Sequence, residues 1–302
     1  MCVTCYQLLI EGFSMRFITC RHEGRDTWGA VTENGEGVID LGRRLPDLPD
    51  LSTALEAERL GEAAEAASWA EADLSMTAIT YERTIPRPGK ILCIGVNYGG
   101  RNAEYTDTAN SNKPSVFVRF PDSLVGHDES LIRPPESSQL DYEGEIVAVI
   151  GKRGRRIRQT EARDHIAGLT LGNEGSVRDW LRHGKFNVTQ GKNWERSGSL
   201  GPWMVTLDEI GEFQDLHIET HVNGELRQSD TVASMAFPIE FQVAYLSTFI
   251  TLQPGDIIFT GTPTGAGAHL DPPQWLKPGD IVEVSVPEIG ILRNTIQDEE
   301  SP

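Results

Sequence analysis

Short runs of apolar residues recur along most of the chain, and their spacing predicts a protein built mainly from β-strands. Between residues 15 and 84, three such runs precede an alanine- and glutamate-rich stretch, LSTALEAERLGEAAEAASWAEA, which predicts helix with a solvated face. After residue 84 strand patterns dominate, and the pair Asn223-Gly224 predicts the turn of a β-hairpin. One segment of this half, Ala233–Leu252, has the apolar spacing of an amphipathic helix and precedes the helix-ending pair Pro254-Gly255.

The same patterns divide the chain into three regions. Residues 1–14 precede the first strand pattern, which begins at Met15, and are expected to lie outside the fold. Residues 15–84 are predicted to form a small N-terminal α/β domain, and residues 85–302 a larger β-rich α+β domain. The boundary is placed at TIPRPGK, because proline and glycine interrupt regular structure there. Many short strands with few helices favour a sandwich, a roll or a barrel-like core.

Charge and composition restrict the partners that this protein can have. The 302 residues carry a formal net charge of −18, which disfavours binding to nucleic acid or to an anionic membrane. An anionic substrate would therefore need a local positive site, supplied by a metal ion or by selected Lys and Arg side chains. No apolar run approaches the roughly 20 residues of a membrane span. The N-terminus has no basic region and no clear cleavage site, so a cytoplasmic protein is expected.

The stretch LDYEGEIVAVIG places two acidic residues at the entrance to a predicted buried strand. Glu143 and Glu145 are two positions apart, so their side chains leave the same face of the strand, with Cα atoms about 6–7 Å apart. Two semi-buried carboxylates repel each other unless a cation lies between them. With Glu174 in GNEGS they offer oxygen ligands without nearby Cys or His, which suits Mg²⁺ or Mn²⁺. An exposed strand edge protected by charges explains the same pair, and spacing alone leaves both interpretations open.

The chain resembles a known family, the fumarylacetoacetate hydrolase family. The resemblance covers residues 86–297 and rests on the order and spacing of five motifs, KILCIGVNY, LDYEGEIVAVIGKRGR, GNEGSVRDW, GKNWERSGSLGPWMVT and LQPGDIIFTGTPTGAG. It implies a mixed β-sandwich roll, a homodimer, and Mg²⁺ or Mn²⁺, with Ca²⁺ as a further candidate, holding the 1,2-oxo-acid end of a small anionic substrate. Family members hydrolyse acylpyruvates, decarboxylate oxaloacetate-like acids or interconvert enol and keto forms.

The resemblance also implies roles for the residues at matching positions. Glu143 and Glu145 would be metal ligands, together with Glu174, where the family usually has Asp. Lys192 would offset the charge that develops on an enolate oxygen. Arg178 and Asp179 match an "RD" pair that supports the site, and Asp141 is expected to play a similar supporting part. Five residues would contact the substrate, Asn97, Tyr98, Arg119, Leu181 and Thr262.

Departures from the family pattern bear on the reaction. Hydrolytic members carry His and, one helical turn later, Glu in a lid after NY, and this pair activates water. Here NYGGRNAEY keeps Glu104 but has Arg101 in place of the His, and arginine stays protonated, so it cannot act as that base. The catalytic candidates are therefore Glu104, Lys192 and Arg101, the first and last on a lid hinged at Gly99 and Gly100 that is expected to close over substrate.

Two further observations concern the same active site. Leu181 stands where the family often has Gln, which exchanges an amide that faces the substrate for an apolar contact. His127, His183 and His269 are weaker candidates for a replacement base.

Three functions follow from these residues. The first is a divalent-metal-dependent hydrolase that cleaves a C–C bond of a β-keto or acylpyruvate-type acid through a metal-stabilised enolate. The second uses the same site without activated water, as a decarboxylase or a keto–enol isomerase of oxaloacetate-like acids, and Arg101 favours it. The third is a non-catalytic metal-binding scaffold, which Lys192 disfavours, because a scaffold needs no lysine beside its metal.

Overall fold

A computed structural model describes residues 15–99, 112–184 and 187–300. The predicted N-terminal extension and the lid residues Arg101 and Glu104 lie outside these ranges. The strands are β1 Arg16–His22, β2 Arg25–Val31, β3 Gly37–Asp40, β4 Leu74–Ser75, β5 Thr80–Tyr81, β6 Ile91–Gly95, β7 Ser115–Arg119, β8 Leu124–Val125, β9 Leu131–Arg133, β10 Leu140–Asp141, β11 Gly144–Ile150, β12 Ile166–Asn173, β13 Ser176–Val177, β14 Gly198–Thr206, β15 His217–Val222, β16 Glu225–Thr231, β17 Ile257–Phe259, β18 Ile281–Val286 and β19 Gly290–Asp298. The α-helices are α1 Leu41–Arg44, α2 Leu51–Glu56, α3 Leu60–Ala67, α4 Thr189–Lys192 and α5 Ile239–Phe249.

Most strands belong to one large mixed sheet or to a smaller sheet that packs against it. The large sheet has the order β4-β3-β2-β1-β14-β12-β11-β17-β6-β7, with β5 beside β1 and β8 beside β14. The smaller sheet has the order β16-β15-β18-β19-β9, and β10 pairs with β13. Among the described residues three strand pairs run parallel, β17 with β6, β8 with β14, and β9 with β19. Across the described ranges the large sheet ends at β4 and β7, so the predicted β-rich mixed sandwich is confirmed, without barrel closure.

Strand β11 is buried on both faces, which explains its uninterrupted apolar sequence. On one face, Ile146 joins a core that includes Ile218 of the smaller sheet and Val243 of α5. On the other face, Val147 joins a second core with Trp28 and the buried residues of the N-terminal helices. The strand that begins at the paired glutamates is therefore fixed between two cores, which gives the site a rigid floor.

The N-terminal region shares its sheet with the rest of the chain. Strand β1 pairs antiparallel with β14, with Phe17 opposite Met204. The division into domains near residue 84 stays a prediction, and the sheet runs continuously across it.

Helices are shorter than their sequence patterns predict. The alanine- and glutamate-rich stretch gives two helices, α2 and α3, because Glu58 adopts a φ of +54° between them. Helix α5 begins only at Ile239, since Pro238 restricts the residue before it to extended backbone. The Asn223-Gly224 turn joins β15 to β16 with both φ angles positive, as predicted. Within the described ranges, no helix has the length and apolar character needed to cross a membrane.

Candidate metal centre and its cavity

Three acidic side chains converge at one end of the large sheet. Glu143 lies between β10 and β11, Glu145 lies in β11, and Glu174 directly follows β12. The two strands pair antiparallel, and the backbone N–H of Glu174 donates to the carbonyl of Glu143 at 2.8 Å. One carboxylate oxygen from each residue lies within 4.8 Å of the other two, and each residue is at most 3% exposed. The alternative interpretation, an exposed strand edge, is therefore wrong.

Two cations balance part of this negative charge. Lys192, at the end of α4, donates from Nζ to Glu143 Oε2 at 2.5 Å and to Glu174 Oε2 at 3.1 Å. Arg178 donates from Nη2 to Glu143 Oε1 at 2.7 Å. Arg178 also pairs with the buried Asp141, and Arg119 lies 4.0 Å from Glu174, so four ionised carboxylates face three cations and leave a net negative charge in a buried space, which favours a further cation.

The donor set fits a hard divalent ion. Glu174 Oε1 is buried and accepts no hydrogen bond from the residues that the structure describes, and Arg119 Nη1 lies 4.0 Å from it. A carboxylate oxygen without a partner in the interior is costly unless a cation contacts it. Since the three acids offer only oxygen, Mg²⁺ and Mn²⁺ suit the site, and Ca²⁺ is compatible with it.

The turn after β17 supports Glu145. The N–H of Gly261 donates to Glu145 Oε2 at 2.7 Å. Gly261 has a φ of +105°, and a Cβ there would lie 2.6 Å from the Cβ of Asn97, so the position requires glycine. The next residue, Thr262, donates from Oγ1 to the carbonyl of Gly144 at 2.9 Å, which ties the turn to β11.

Burial and charge shift the ionisation of two groups at this centre. Burial raises the pKa of Glu145 well above its ordinary value, and the negative charges of Glu174 and Glu143 raise it further, against the opposing effect of Lys192. For Lys192, burial acts to lower the pKa, but the carboxylates of Glu143 and Glu174 outweigh burial and leave that pKa raised. Lys192 is thus a charged donor at neutral pH, whereas Glu145 keeps its proton to higher pH than an ordinary glutamate does.

We expect a divalent ion to stabilise the protein more strongly as the pH rises. Between the ordinary pKa of a glutamate and the raised pKa of Glu145, the folded protein binds a proton that the unfolded chain has lost. The free energy of unfolding of the metal-free protein therefore falls as the pH rises through this window, and an ion bound to the ionised acids offsets the loss. Thermal melting with and without Mn²⁺, from about pH 5 to about pH 8, measures how much stability the ion adds at each pH.

The matched control for this prediction is Glu145→Gln, which removes the titrating group. The melting temperature of the metal-free variant should lose the part of its pH dependence that Glu145 causes. If Mn²⁺ raises the melting temperature of the unaltered protein equally at both ends of the pH range, Glu145 is not the group that titrates.

Asp141 does not line the cavity and supports the metal centre through Arg178. Its Oδ2 accepts a hydrogen bond from Arg178 Nε at 2.7 Å, so Arg178 bridges Asp141 and Glu143. The same carboxylate accepts from the backbone N–H groups of Gly267 at 2.9 Å and Ala268 at 3.0 Å. Asp141 therefore fixes both the arginine and the short 3₁₀ helix Gly267–His269 that borders the cavity.

A cavity of about 760 Å³ opens beside the three acids. Of the five residues expected to contact substrate, Thr262 and Leu181 line it. Leu181 lies in the 3₁₀ helix Asp179–Arg182 and packs so closely on Gly191 that a Cβ there would come within 2.4 Å of Leu181 Cδ2. Leu181 therefore contributes apolar surface to the cavity that holds the three acids.

The structure places the other three of these residues in the protein interior. Asn97 donates from Nδ2 to the carbonyls of Phe237 and Thr260 and accepts from the N–H of Phe237, so its amide braces the backbone. Tyr98 is 1% exposed and packs in the core against α5 and the smaller sheet.

Arg119 is held in a similar way. It donates to the carbonyl of Gly175 at 2.9 Å and to Ser197 Oγ at 3.1 Å. These contacts favour a role in positioning Glu174 and its loop over direct contact with substrate.

The three histidines considered as a replacement base lie in different surroundings. His127 packs edge-on against Tyr81, with ring centroids 4.4 Å apart, and its Nδ1 accepts from the N–H of Arg293. His183 lies against Trp180 at 4.3 Å. His269 lines the cavity, which makes it the histidine best placed to take part in chemistry.

The structure adds residues that the sequence analysis missed. Arg182 and Phe117 line the cavity, and Lys192 Nζ lies 5.4 Å from the centre of the Phe117 ring. Gln228 donates to Thr262 Oγ1 at 2.8 Å and accepts from the N–H of Gly144. Arg182 could have been noticed, since it directly follows Leu181, whereas Gln228 and Phe117 come from strands with no motif of their own.

Comparison with known proteins shows the family to which this chain belongs. The sequence profile of the family described as "Fumarylacetoacetate (FAA) hydrolase C-terminal" matches residues 90–297. A mitochondrial oxaloacetate tautomerase of Bos taurus is 38% identical over 275 residues, covering 89% of this chain and 86% of its own length. Among solved structures, a fumarylacetoacetate hydrolase from Exiguobacterium antarcticum has a TM-score of 0.80 at 28% identity, covering 95% of this chain and 100% of its own. A probable 2-hydroxyhepta-2,4-diene-1,7-dioate isomerase from Mycobacterium abscessus has a TM-score of 0.77 at 31% identity, with the same coverage.

The comparison corrects one prediction. A cytoplasmic protein was expected from the sequence, but the bovine relative carries a name that places it in mitochondria. The expectation was wrong because it depended on the composition of the N-terminal residues, which gives little information about the compartment.

Proposed function

Because this chain belongs to the fumarylacetoacetate hydrolase family of enzymes, we propose that it is a divalent-metal-dependent tautomerase of short 2-oxo dicarboxylic acids. The substrate class is that of oxaloacetate, whose enol and keto forms it interconverts. This is the second of the functions considered from sequence, and it is better supported than hydrolysis. Support comes from the bovine relative, whose name is oxaloacetate tautomerase, and from the groups that surround the three acids.

The observation that carries the proposal is the position of Lys192. Its ammonium is buried and contacts both Glu143 and Glu174, so it is charged and directed at the space where the acids converge. Keto–enol conversion passes through an enolate, in which negative charge develops on the oxygen of C2. A fixed cationic donor at that place lowers the energy of the charged species without consuming a water molecule.

The three acids would hold the ion, and the chain's other groups would handle the rest of the substrate. A bound Mg²⁺ or Mn²⁺ would polarise the C2 carbonyl and its neighbouring carboxylate. Thr262, on its glycine-fixed turn, lines the cavity wall, where its hydroxyl is held by Gly144 and Gln228. Leu181 and Phe117 provide apolar surface that excludes water from the reacting carbon.

The reaction itself moves one proton. Conversion of enol to keto breaks the O–H bond at C2 and forms a C–H bond at C3, and no water or other reactant is consumed. Lys192 donates a hydrogen bond to the oxygen between these two steps. Glu104 and Arg101, which lie outside the described ranges, stay predicted catalytic residues, with Arg101 pairing with Glu104 or with a substrate carboxylate.

Hydrolysis would need a group that activates water beside the acids. Arg101 replaces the lid histidine of hydrolytic members and cannot act as that base. His269 borders the cavity on the anchored 3₁₀ helix and is the remaining imidazole candidate among the described residues of the lining. The balance of these groups favours proton transfer over attack by water.

The test is product identification by NMR in D₂O. Protein loaded with Mg²⁺ or Mn²⁺ should exchange the C3 protons of oxaloacetate for deuterium faster than the same metal without protein. With an acylpyruvate it should exchange C3 protons but release little pyruvate. Rapid cleavage of the acylpyruvate by the wild-type protein, without accelerated exchange of oxaloacetate, would support the hydrolase instead.

A homodimer formed by residues 86–297 stays a prediction. The exposed apolar side chains Val118 and Phe120, in and beside the end strand β7, are compatible with it.

A further inference from the structure

Arg182 is a cation of the cavity that the chemistry at the metal centre leaves unused. It ends the 3₁₀ helix Asp179–Arg182 and is exposed, whereas Lys192 in the same lining is buried. This difference places Arg182 at the mouth of the cavity and Lys192 at its floor. Within the described ranges, no carboxylate pairs with Arg182, although Arg178 and Lys192 are both bound to Glu143.

The chain fixes the base of this side chain on both sides. Arg178, directly before the 3₁₀ helix, is bound to Asp141 and Glu143. Trp180 packs edge-on against Trp194, with ring centroids 4.7 Å apart. Leu181 packs against α4 at Gly191. The backbone that carries Arg182 is therefore held in place, while its guanidinium is left for a ligand.

The charges of the lining indicate what that ligand is. The lining and the two buried groups that contact it, Asp141 on Arg178 and Arg119 beside Glu174, together hold four carboxylates and four cations, which cancel when all are ionised. A divalent ion then leaves two positive charges, which match the two negative charges of a dicarboxylate. Without Arg182 one positive charge would remain, which matches a monocarboxylate such as pyruvate.

We propose that Arg182 binds the second carboxylate of the substrate, at the end distant from the metal, and thereby selects dicarboxylic over monocarboxylic 2-oxo acids. This inference rests on the proposed function for the identity of the reaction. A guanidinium forms paired hydrogen bonds with a carboxylate, which a neutral amide at the same position cannot replace. His269, in the same lining, is the competing candidate for this role.

The experiment compares oxaloacetate with its 4-methyl ester, which removes one charge and keeps the reacting carbons. In Arg182→Gln, kcat/KM for C3 exchange of oxaloacetate should fall about tenfold, mainly through KM, and the value for the ester should change little. Arg182→Lys should recover part of the loss. Arg153→Gln, which removes a cation from an exposed loop beyond the far end of β11, should leave both values unchanged.

A binding measurement that requires no turnover tests this inference independently of the proposed function. Calorimetric titration of the Mn²⁺-loaded protein should show tighter binding of malate than of lactate, and Arg182→Gln should remove that preference. If no exchange activity is found with either substrate, the proposed function fails, and the titration still decides the role of Arg182. An unchanged preference in Arg182→Gln, by exchange or by titration, would overturn the inference, and its loss in His269→Gln instead would assign the role to His269.

Discussion

Replacing Lys192 with Met should abolish most of the catalysis and destabilise the metal-free protein. Its ammonium is the donor that contacts Glu143 and Glu174 in the buried centre. Loss of a fixed donor at a developing oxyanion lowers kcat by about 10²- to 10³-fold. Loss of one partner of a buried ion pair costs about 3–5 kcal/mol in the free energy of unfolding.

These two effects of Lys192→Met are measured separately. Exchange of C3 protons gives kcat, and thermal melting in the presence of a chelator gives stability. Addition of Mn²⁺ should recover much of the stability, because the ion offsets the charge of the buried acids that have lost their lysine, but it should not recover kcat. Full activity in the Mn²⁺-loaded variant would rule out the role proposed for this lysine.

Lys90→Met is the matched control. Lys90 also pairs with a buried acid, Asp256, at 2.8 Å, but at the opposite end of β6 from the cavity. Its replacement should lower the melting temperature and leave kcat close to that of the unaltered protein.

Replacing Glu174 with Gln should weaken binding of the divalent ion by about 100-fold or more. The substitution removes a charged ligand of the ion, which costs more affinity than the loss of a residue that only orients a ligand. Titration calorimetry with Mn²⁺ measures the change. The metal-free variant should stay folded, because one carboxylate fewer reduces the repulsion that raises the pKa of Glu145. A melting temperature as high as that of the unaltered metal-free protein at about pH 8 would show that the fold is intact.

Two controls accompany this variant. Glu174→Asp restores the residue that the family usually carries there, and it should keep binding within about tenfold. Glu195→Gln removes an exposed acid that follows α4 and does not line the cavity, and it should not alter binding. Equal affinity in Glu174→Gln and in the unaltered protein would place the ion elsewhere.

Sequence patterns predicted the strands well where one principle determined the structure. The apolar run of β11 and the Asn223-Gly224 turn are examples, because burial on two faces and positive φ angles each leave few alternatives. The helices were predicted too long, since Pro238 and the positive φ of Glu58 interrupt patterns that otherwise continue.

The centre was predicted less completely than the strands. The spacing of Glu143 and Glu145 indicated a shared face, but it could not distinguish a buried centre from an exposed edge. That distinction depends on the pairing of β11 with β12, which brings Glu174 to the same place. Arg119 and Asn97 matched family positions, yet Arg119 donates to the carbonyl of Gly175 and Asn97 to that of Thr260, and no local pattern reveals such distant partners.

The most direct test of the central claim follows the enol form of oxaloacetate by its ultraviolet absorbance. Protein loaded with Mn²⁺ should accelerate the conversion of enol to keto, a chelator should abolish the acceleration, and renewed Mn²⁺ should restore it. Pyruvate should not form at a comparable rate. An unchanged rate of enol decay in the presence of the Mn²⁺-loaded protein, relative to Mn²⁺ alone, would contradict the account.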